Sequence, residues 1–508
     1  MSGPAAAARG RYSRGRLASF VAFLLGAASV AGFAPLYFFP LPVVTLAALM
    51  LQWHGAETPR RAAWLGWWFG LGYFLAGVSW VYVSLHTFGA MPAPLAAFFT
   101  LLFCAYLAVF PAAAGYAAAA APLSPALKYS VLVPAVWTLL EWVRGWLFTG
   151  FPWLALGYSQ VPASPLAGYA PLLGIGGVTL ATAAVAGAAA TLAISRGARL
   201  VRQPALYVVP ALLLVGYALL QVHWTRPAGE RFSVALLQGN IPQDLKWRPE
   251  AVQRTLDTYL ELALATDSRL TVLPETALPL FLDQVPAPYL EQLAQHAARN
   301  GGDVLIGVPE GSPRREYYNS VISVGAARPQ SYRKQHLVPF GEFIPLRPLL
   351  GWFVNAVSIP LQDFSRGSAT PQPLEVAGQR VAVNICYEDA FGEEIIRQLP
   401  QATVLVNASN VAWFGRSIAP YQHLQISQAR ALETGRYMLR ATNTGMTGVI
   451  DPHGRVVALA PQFAAATVTY RVQGYSGATP YVRWGNAPVL ALCALLAFAA
   501  ALLRRARH

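Results

Sequence analysis

The stretch VAVNICYED (381–389) decides the fold of the polar part of this chain. Five residues typical of a buried strand run directly into a thiol, Cys386, and two carboxylates. Because α/β folds present reactive groups at the carboxyl ends of strands, this stretch predicts a strand that delivers Cys386 to a site. The alternative is a small buried hydrophobic residue, but charged residues follow the thiol at once. We therefore interpret Cys386 as a nucleophile.

Strand-like and helical stretches alternate on both sides of this strand, from residue 231 to about residue 475. The strand-like runs are 232–237, 270–273, 304–308, 320–324, 381–385 and 403–406. The clearest helical stretches are 249–266, 287–299 and 422–434. This alternation predicts an α/β domain. Spacing alone leaves open a doubly wound sheet or a sandwich of two sheets with helices outside.

Long apolar runs flank the α/β region. Of the 508 residues, 55% are hydrophobic and only 12% are charged, which excludes an ordinary soluble protein. The apolar runs predict eight transmembrane helices in a membrane-embedded bundle. They are residues 17–33, 36–51, 63–85, 94–121, 130–148, 171–194, 205–222 and 487–503. A cleaved signal peptide is the alternative for the first run, but no cleavage site fits before the second.

The chain is thus predicted to have three parts. Residues 1–230 carry seven transmembrane helices with short loops, residues 231–475 form the catalytic α/β domain, and residues 476–508 form the last helix and a basic tail.

Basic residues predict how the chain crosses the membrane. The net charge of +14 could indicate nucleic acid, but the basic residues form short clusters between apolar runs, so we expect no nucleic-acid partner. The clusters fall in alternate loops, and the intervening loops contain no Lys or Arg. The clustered residues are Arg9, Arg11, Arg14, Arg16, Arg60, Arg61, Lys128, Arg196, Arg199, Arg202, Arg504, Arg505 and Arg507. Cytoplasmic loops carry the excess of positive charge, which places both termini in the cytoplasm and the polar domain outside.

Two further strand ends carry charged residues. LTVLPET (270–276) delivers Glu275, and YRKQHLVPFGE (332–342) places Lys334 after a strand and Glu342 eight residues later. Taken singly, each is more typical of a solvated charge. Taken with Cys386, they supply a base for the thiol proton and a cation for the thiolate and the oxyanion.

These motifs resemble a known family. The order Glu275, Lys334, Cys386 at strand ends resembles the nitrilase superfamily, whose members use such a triad in an αββα sandwich for amide and nitrile chemistry. The phrases PET, KQHLVPFGE, CYE and NASNVAWFG (407–415) are more closely similar to the apolipoprotein N-acyltransferase family of the bacterial inner membrane. The resemblance covers the whole chain, because that family also has eight spans with the nitrilase-like domain before the last. One departure is Val411, where a small acidic residue is expected.

The resemblance implies roles for individual residues. Glu275 would be the general base, Lys334 the oxyanion and thiolate stabiliser, Cys386 the nucleophile, and Glu342 would orient Lys334 or Glu275. The expected supporting and substrate-binding residues are Glu388, Tyr387, Trp413, Phe340 and Phe343. For Trp413 a plain packing role remains equally open.

The resemblance also implies the reaction. An acyl chain passes from a membrane phospholipid to the N-terminal amine of an S-diacylglyceryl-cysteine apolipoprotein, through a cysteine thioester and without cofactor or metal, in a monomer. This transfer would be the last step of lipoprotein maturation, with the catalytic domain on the periplasmic side. The residues alone reach only acyl transfer at a membrane surface. The alternatives are a membrane-anchored nitrilase-type amidase that uses water and a transporter with an outer binding domain.

Two further features remain open. FGEFIPLRPLLGWFV (340–354) is too apolar for a solvated loop, so it either packs on the domain or enters the outer leaflet as a lid, which we favour. Its residues expected to face lipid are Phe343, Leu346, Leu349, Leu350, Trp352 and Phe353. In the membrane half, Glu141 and Arg144 share a helix face and are either functional or structural.

Overall fold

The structure is a computed structural model that describes residues 4–195, 203–312, 316–345 and 363–505, without the side chains of 4–14 and 503–505. These residues form two compact units. The first contains the described residues of Met1–Trp80, Ala97–Val222 and Asn486–His508, and the second contains Val81–Ala96 and those of His223–Gly485.

Apolar helices form the N-terminal and C-terminal parts. The longer helices are Pro4–Ser29, Pro40–His54, Pro59–Val78, Ala93–Leu107, Val109–Ala120, Val133–Arg144, Ala170–Ile194, Ala205–Leu220 and Ala487–Arg505. Four segments of the described chain are long and apolar enough to cross a membrane, or five if Pro59–Val78 and Val81–Phe88 count as one broken span. The four are Gly15–Gly32, Ala93–Ala120, Pro125–Arg144 and Pro165–Ile194. Ala205–Leu220 and Ala487–Leu502 are shorter apolar helices, so the total of eight spans stays a prediction.

Glycines let the first and third of these helices touch. A Cβ atom added at Gly26 would lie 1.9 Å from the Phe69 carbonyl oxygen, and one added at Gly72 would lie 2.0 Å from that of Phe23. Only glycine permits backbones to approach so closely, as is common between helices in membranes.

Glu141 and Arg144 both bind backbone in the first unit. The Glu141 carboxylate accepts hydrogen bonds from Leu156 N (2.9 Å) and from the Thr179 hydroxyl (2.9 Å). Arg144 Nη1 donates to the Phe151 carbonyl at 2.6 Å. These contacts hold the irregular segment after the helix Val133–Arg144, which favours the structural interpretation.

The described part of the second unit contains twelve strands. They are β1 (Arg226–Gln238), β2 (Leu270–Val272), β3 (Asp303–Gly311), β4 (Tyr317–Gly325), β5 (Ser331–Arg333), β6 (Leu374–Val376), β7 (Gln379–Ile385), β8 (Val404–Ser409), β9 (Met438–Thr442), β10 (Gly448–Ile450), β11 (Val456–Leu459) and β12 (Ala466–Ser476). All six predicted strands are confirmed. The three predicted helices are also confirmed, as Pro249–Leu264, Ala287–Arg299 and Ala419–Thr434.

The strands make two six-stranded sheets of the same plan. Their orders are β12-β1-β2-β3-β4-β5 and β11-β10-β9-β8-β7-β6. In each sheet three neighbouring strands are parallel, β1 to β3 and β7 to β9, and the remaining pairs are antiparallel. The parallel strands bring their carboxyl ends to one edge, which is where α/β sheets carry sites.

The two sheets pack against each other. Val234 and Leu236 of β1 share one hydrophobic core with Val381 and Val383 of β7. Side chains alternate along a strand, so their neighbours point the other way, and Ala235 packs with the helices Pro249–Leu264 and Ala287–Arg299. On the other side Ala382 and Leu405 pack with Leu424 of the helix Ala419–Thr434. The result is an αββα sandwich, which excludes the doubly wound alternative.

Candidate active site

The predicted triad residues follow the carboxyl ends of three different strands. Glu275 follows β2, Lys334 directly follows β5, and Cys386 directly follows β7. Glu275 and Lys334 are buried, whereas Cys386 keeps partial exposure. The backbone N–H of Asn410, at the end of β8, donates to Glu275 Oε2 at 2.9 Å and also bonds Cys386. The structure therefore brings the Glu275 carboxylate and the Cys386 thiol together at one edge of the second unit.

One ammonium and one amide hold two carboxylates in this site. Lys334 Nζ lies 2.9 Å from Glu342 Oε1 and 3.3 Å from Glu275 Oε1. The Asn319 side-chain amide donates to the same two oxygens, at 2.9 and 2.8 Å. Val338 N donates to the other oxygen of Glu342 at 2.8 Å. Glu342 thus touches Lys334 directly and Glu275 through Asn319, the geometry that its predicted orienting role requires.

The charges set the protonation states of the three residues. Burial alone would raise the pKa of Glu275, but the Lys334 ammonium, the Asn319 amide and Lys246 outweigh burial and lower it. Burial opposes the charge of Lys334, yet the two carboxylates raise its pKa. Burial and the Glu275 carboxylate raise the pKa of Cys386. At neutral pH the site therefore holds a thiol beside a carboxylate, the pair that proton transfer at the moment of attack requires.

Cys386 has an unusual backbone conformation. Its φ is 54°, in the left-handed region that non-glycine residues seldom adopt. The Cys386 carbonyl accepts a hydrogen bond from Asn407 Nδ2 at 3.0 Å and lies 3.1 Å from His423 Nε2. Such a conformation costs on the order of 1–3 kcal/mol and persists only where neighbours enforce it. The contacts fix the turn that directs the thiol out of β7.

Glu388 connects two elements of the site. One carboxylate oxygen accepts from Gln335 N (2.7 Å) and His336 N (3.0 Å), and the other from Ile385 N (2.7 Å) and the Tyr332 hydroxyl (2.8 Å). Burial raises the pKa of Glu388 against the opposing charge of Lys334. Glu388 is only 2% exposed, and its hydrogen bonds support the backbone next to Lys334 and Cys386.

The predicted aromatic residues lie around these elements. Tyr387 is half-buried, with its ring 5.1 Å from Phe391 and 5.8 Å from His336. Phe340 N donates to the Phe343 carbonyl at 2.7 Å, and both side chains are half-buried. The remaining predicted lid residues, Leu346, Leu349, Leu350, Trp352 and Phe353, lie outside the described residues.

Trp413 packs on the segment Val81–Ala96 within the second unit. Its ring lies 6.1 Å from that of Phe88, edge to face, and its carbonyl accepts from the Ser84 hydroxyl at 2.8 Å. These contacts support the packing role for Trp413, and its predicted contact with substrate stays a prediction.

Sequence reasoning missed three polar residues of the site. Asn319 lies inside β4, where the available signal was an asparagine, a residue type depleted in strands. Asn410 lies within the quoted phrase NASNVAWFG, yet no role was expected for it. Lys246 precedes the helix Pro249–Leu264, and no local pattern relates it to Glu275.

Two family models match this chain. The model described as apolipoprotein N-acyltransferase N-terminal domain matches residues 25–188, and that described as carbon-nitrogen hydrolase matches residues 233–481.

Similar proteins cover nearly the whole chain. A protein of Nitrosomonas europaea is 54% identical over 482 residues, which are 95% of this chain and 96% of its own. Proteins of Chromobacterium violaceum and Methylococcus capsulatus are each 47% identical, covering 96% and 91% of this chain and 94% and 91% of their own. All three are named apolipoprotein N-acyltransferase.

Proposed function

The chain belongs to the apolipoprotein N-acyltransferase family, and we propose that it moves an acyl chain from a membrane phospholipid to the N-terminal amine of an S-diacylglyceryl-cysteine apolipoprotein. The observation that carries the assignment of residues is the buried group of Glu275, Lys334, Glu342 and Asn319 beside Cys386. It combines a base, a cation and a thiol, which is what covalent acyl transfer requires.

In the first half-reaction Cys386 takes the acyl group. Glu275 accepts the thiol proton while the sulfur forms a bond to the ester carbonyl carbon, and Lys334 stabilises the oxyanion. The carbon–oxygen bond to glycerol then breaks, and Glu275 returns the proton to the glycerol oxygen. The products are a thioester at Cys386 and a lysophospholipid.

In the second half-reaction the acceptor amine takes the acyl group. An α-amino group has a pKa of about 7.7–8.0, so a substantial share is already neutral near pH 7.5. The amine nitrogen attacks the thioester, Glu275 accepts a proton from it, and the carbon–sulfur bond breaks. The sulfur recovers a proton from Glu275, which restores the free thiol for another cycle.

The membrane half supplies the place for this chemistry. We infer eight spans, cytoplasmic termini and a periplasmic catalytic domain at residues 231–475, because the Lys and Arg clusters of the sequence occupy alternate loops. A bacterial inner membrane would then present phospholipid to the site. The enzyme acts as a monomer in this proposal.

Hydrolysis is the competing reaction, because one matching family model is described as carbon-nitrogen hydrolase. The full-length similarity to named acyltransferases, which includes the N-terminal half, favours transfer.

Product analysis tests the proposal. Purified full-length protein is incubated with phosphatidylethanolamine in detergent micelles, with and without a synthetic peptide that starts with S-diacylglyceryl-cysteine. Transfer predicts equal amounts of lysophospholipid and N-acylated peptide, and a stall after one turnover without the peptide. Continuous release of free fatty acid without the peptide would instead assign the chain to the hydrolases.

A further inference from the structure

Lys246 is a second buried ammonium at Glu275. Its backbone N–H donates to the Pro242 carbonyl at 3.0 Å, which closes a turn between β1 and the next helix. Its Nζ donates to the Glu275 carbonyl oxygen at 3.2 Å and to the Thr276 hydroxyl at 2.7 Å. Only 2% of Lys246 is exposed, so its charge acts on the interior of the domain.

The residues that Lys246 binds form a strained turn. Thr276 has φ 45°, in the left-handed region, which is unusual for a β-branched residue. This residue follows Glu275 directly, so the turn lies immediately after the carboxylate-bearing residue. Lys246 bonds the backbone on one side of that turn and the hydroxyl on the other.

The turn that contains Lys246 also contacts Glu275 through a second set of hydrogen bonds. The Gln243 side-chain carbonyl accepts from Asn410 Nδ2 at 2.8 Å, and Asn410 N in turn donates to Glu275 Oε2 at 2.9 Å. Two residues of one turn, Gln243 and Lys246, thus support both the backbone and the carboxylate of Glu275.

Lys246 also contributes to the charge balance around Glu275. Glu275 and Glu342 contribute two carboxylates, and Lys334 contributes one ammonium. Buried charge without a partner is costly, and Lys246 supplies the second positive charge, within electrostatic range of both Glu275 and Cys386.

The choice of lysine is itself informative. The chain has only three lysines among its 37 Lys and Arg residues, and two of them are Lys246 and Lys334. Arginine is always charged, whereas a buried lysine readily changes its pKa. Burial lowers the pKa of Lys246 to about 8, against the opposing effects of Glu275 and Cys386.

We propose that Lys246 is a positioning residue for acyl transfer, which holds the Glu275–Thr276 turn and whose charge favours the Glu275 carboxylate and the Cys386 thiolate. This inference rests on the roles proposed above for Glu275 and Cys386.

The pH dependence of acylation tests it with Lys246→Met and Lys246→Arg. The rate of thioester formation at Cys386 is measured with phosphatidylethanolamine in detergent micelles, and each melting temperature is recorded. Arg248→Met is the matched control, because Arg248 is an exposed cation in the same turn.

Removing the Lys246 ammonium should change the acid side of the pH profile of thioester formation. K246M is expected to form the thioester about tenfold more slowly than the wild type at neutral pH. A tenfold change in rate corresponds to the free energy of a shift of one pKa unit. Glu275 works as a carboxylate, and losing a nearby positive charge raises its pKa. Activity should therefore disappear at a pH about one unit higher than in the wild type as the solution is acidified.

The alkaline side of the pH profile distinguishes an effect of the charge of Lys246 from an effect of its packing. The charged and titratable groups that act on one another at this site are Glu275, Glu342, Lys334, Cys386, Lys246, Glu388 and Arg440. The pKa values of Lys334 and Cys386 are raised. The wild-type rate should fall as pH rises through about 8, where Lys246 loses its charge. K246R should keep its rate there because arginine does not titrate.

Each outcome is decisive. A folded K246M with the wild-type profile would overturn the inference, as would a K246R that shows the wild-type alkaline decline. If K246M does not fold, the K246R profile alone decides between charge and packing. If the wild type forms no thioester, the proposed function fails instead.

Discussion

At Glu275, burial and nearby donors act on one carboxylate in opposite directions. Burial raises its pKa, and Lys334, Asn319 and Lys246 together lower it. The carboxylate is thus ionised well below neutral pH, which is the state that its proposed role as a base in both half-reactions requires.

Replacement of Glu275 by glutamine should affect both half-reactions. The E275Q side chain keeps the shape of glutamate but accepts no proton, so acylation and amine transfer should each slow by about 100-fold or more. Burst measurement of lysophospholipid gives the first rate, and decay of isolated thioester with acceptor peptide gives the second. A normal rate of decay would mean that another base serves the amine.

At the scale of the elements, the Glu388 carboxylate connects the end of strand β7 to the segment that follows β5. Its two oxygens accept four hydrogen bonds, three of them from backbone N–H groups. Lys334 and Cys386 belong to the two elements so joined, and their spacing therefore depends on Glu388, which lies outside the proposed triad.

Replacement of Glu388 by glutamine should loosen this connection. In E388Q an amide NH₂ group faces two hydrogen-bond donors, which should lower the free energy of unfolding by about 1–3 kcal/mol. Y332F removes a single hydrogen bond and should lower it by about 1 kcal/mol. Thermal melting should rank wild type above Y332F and Y332F above E388Q, with acylation rates in the same order. An E388Q protein with wild-type melting temperature and rate would refute the linking role.

The elements show how far the sequence could lead. The positions of Glu275, Lys334 and Cys386 were predictable because each lies within three residues of a strand end in the chain. Strand spacing did not decide between sandwich and doubly wound sheet, because β7 is buried on both faces and its apolar run shows no alternation. The sandwich was expected from the family resemblance alone. Asn319 and Lys246 were missed because their contacts with Glu275 join residues 44 and 29 positions apart.

On the scale of the whole molecule, the arrangement of basic clusters predicts topology. A reporter fused after Arg202 should be active only in its cytoplasmic form, and one fused after the exposed Arg328 only in its periplasmic form. The expected result follows from the positive-inside rule alone and needs no enzymatic activity. The opposite pattern would place the catalytic domain in the cytoplasm and remove the proposed access to the periplasmic leaflet.

The central claim is that Cys386 carries the acyl chain between donor and acceptor. The most direct measurement is the mass of the proteolytic peptide that contains Cys386, after the full-length protein has been incubated with a phospholipid of known acyl chains. We predict a mass increase of one acyl group on Cys386, its loss on addition of the diacylglyceryl-cysteine peptide, and no adduct or lysophospholipid with C386A. Release of lysophospholipid by C386A, or turnover of the wild type without any adduct on Cys386, would contradict the covalent mechanism.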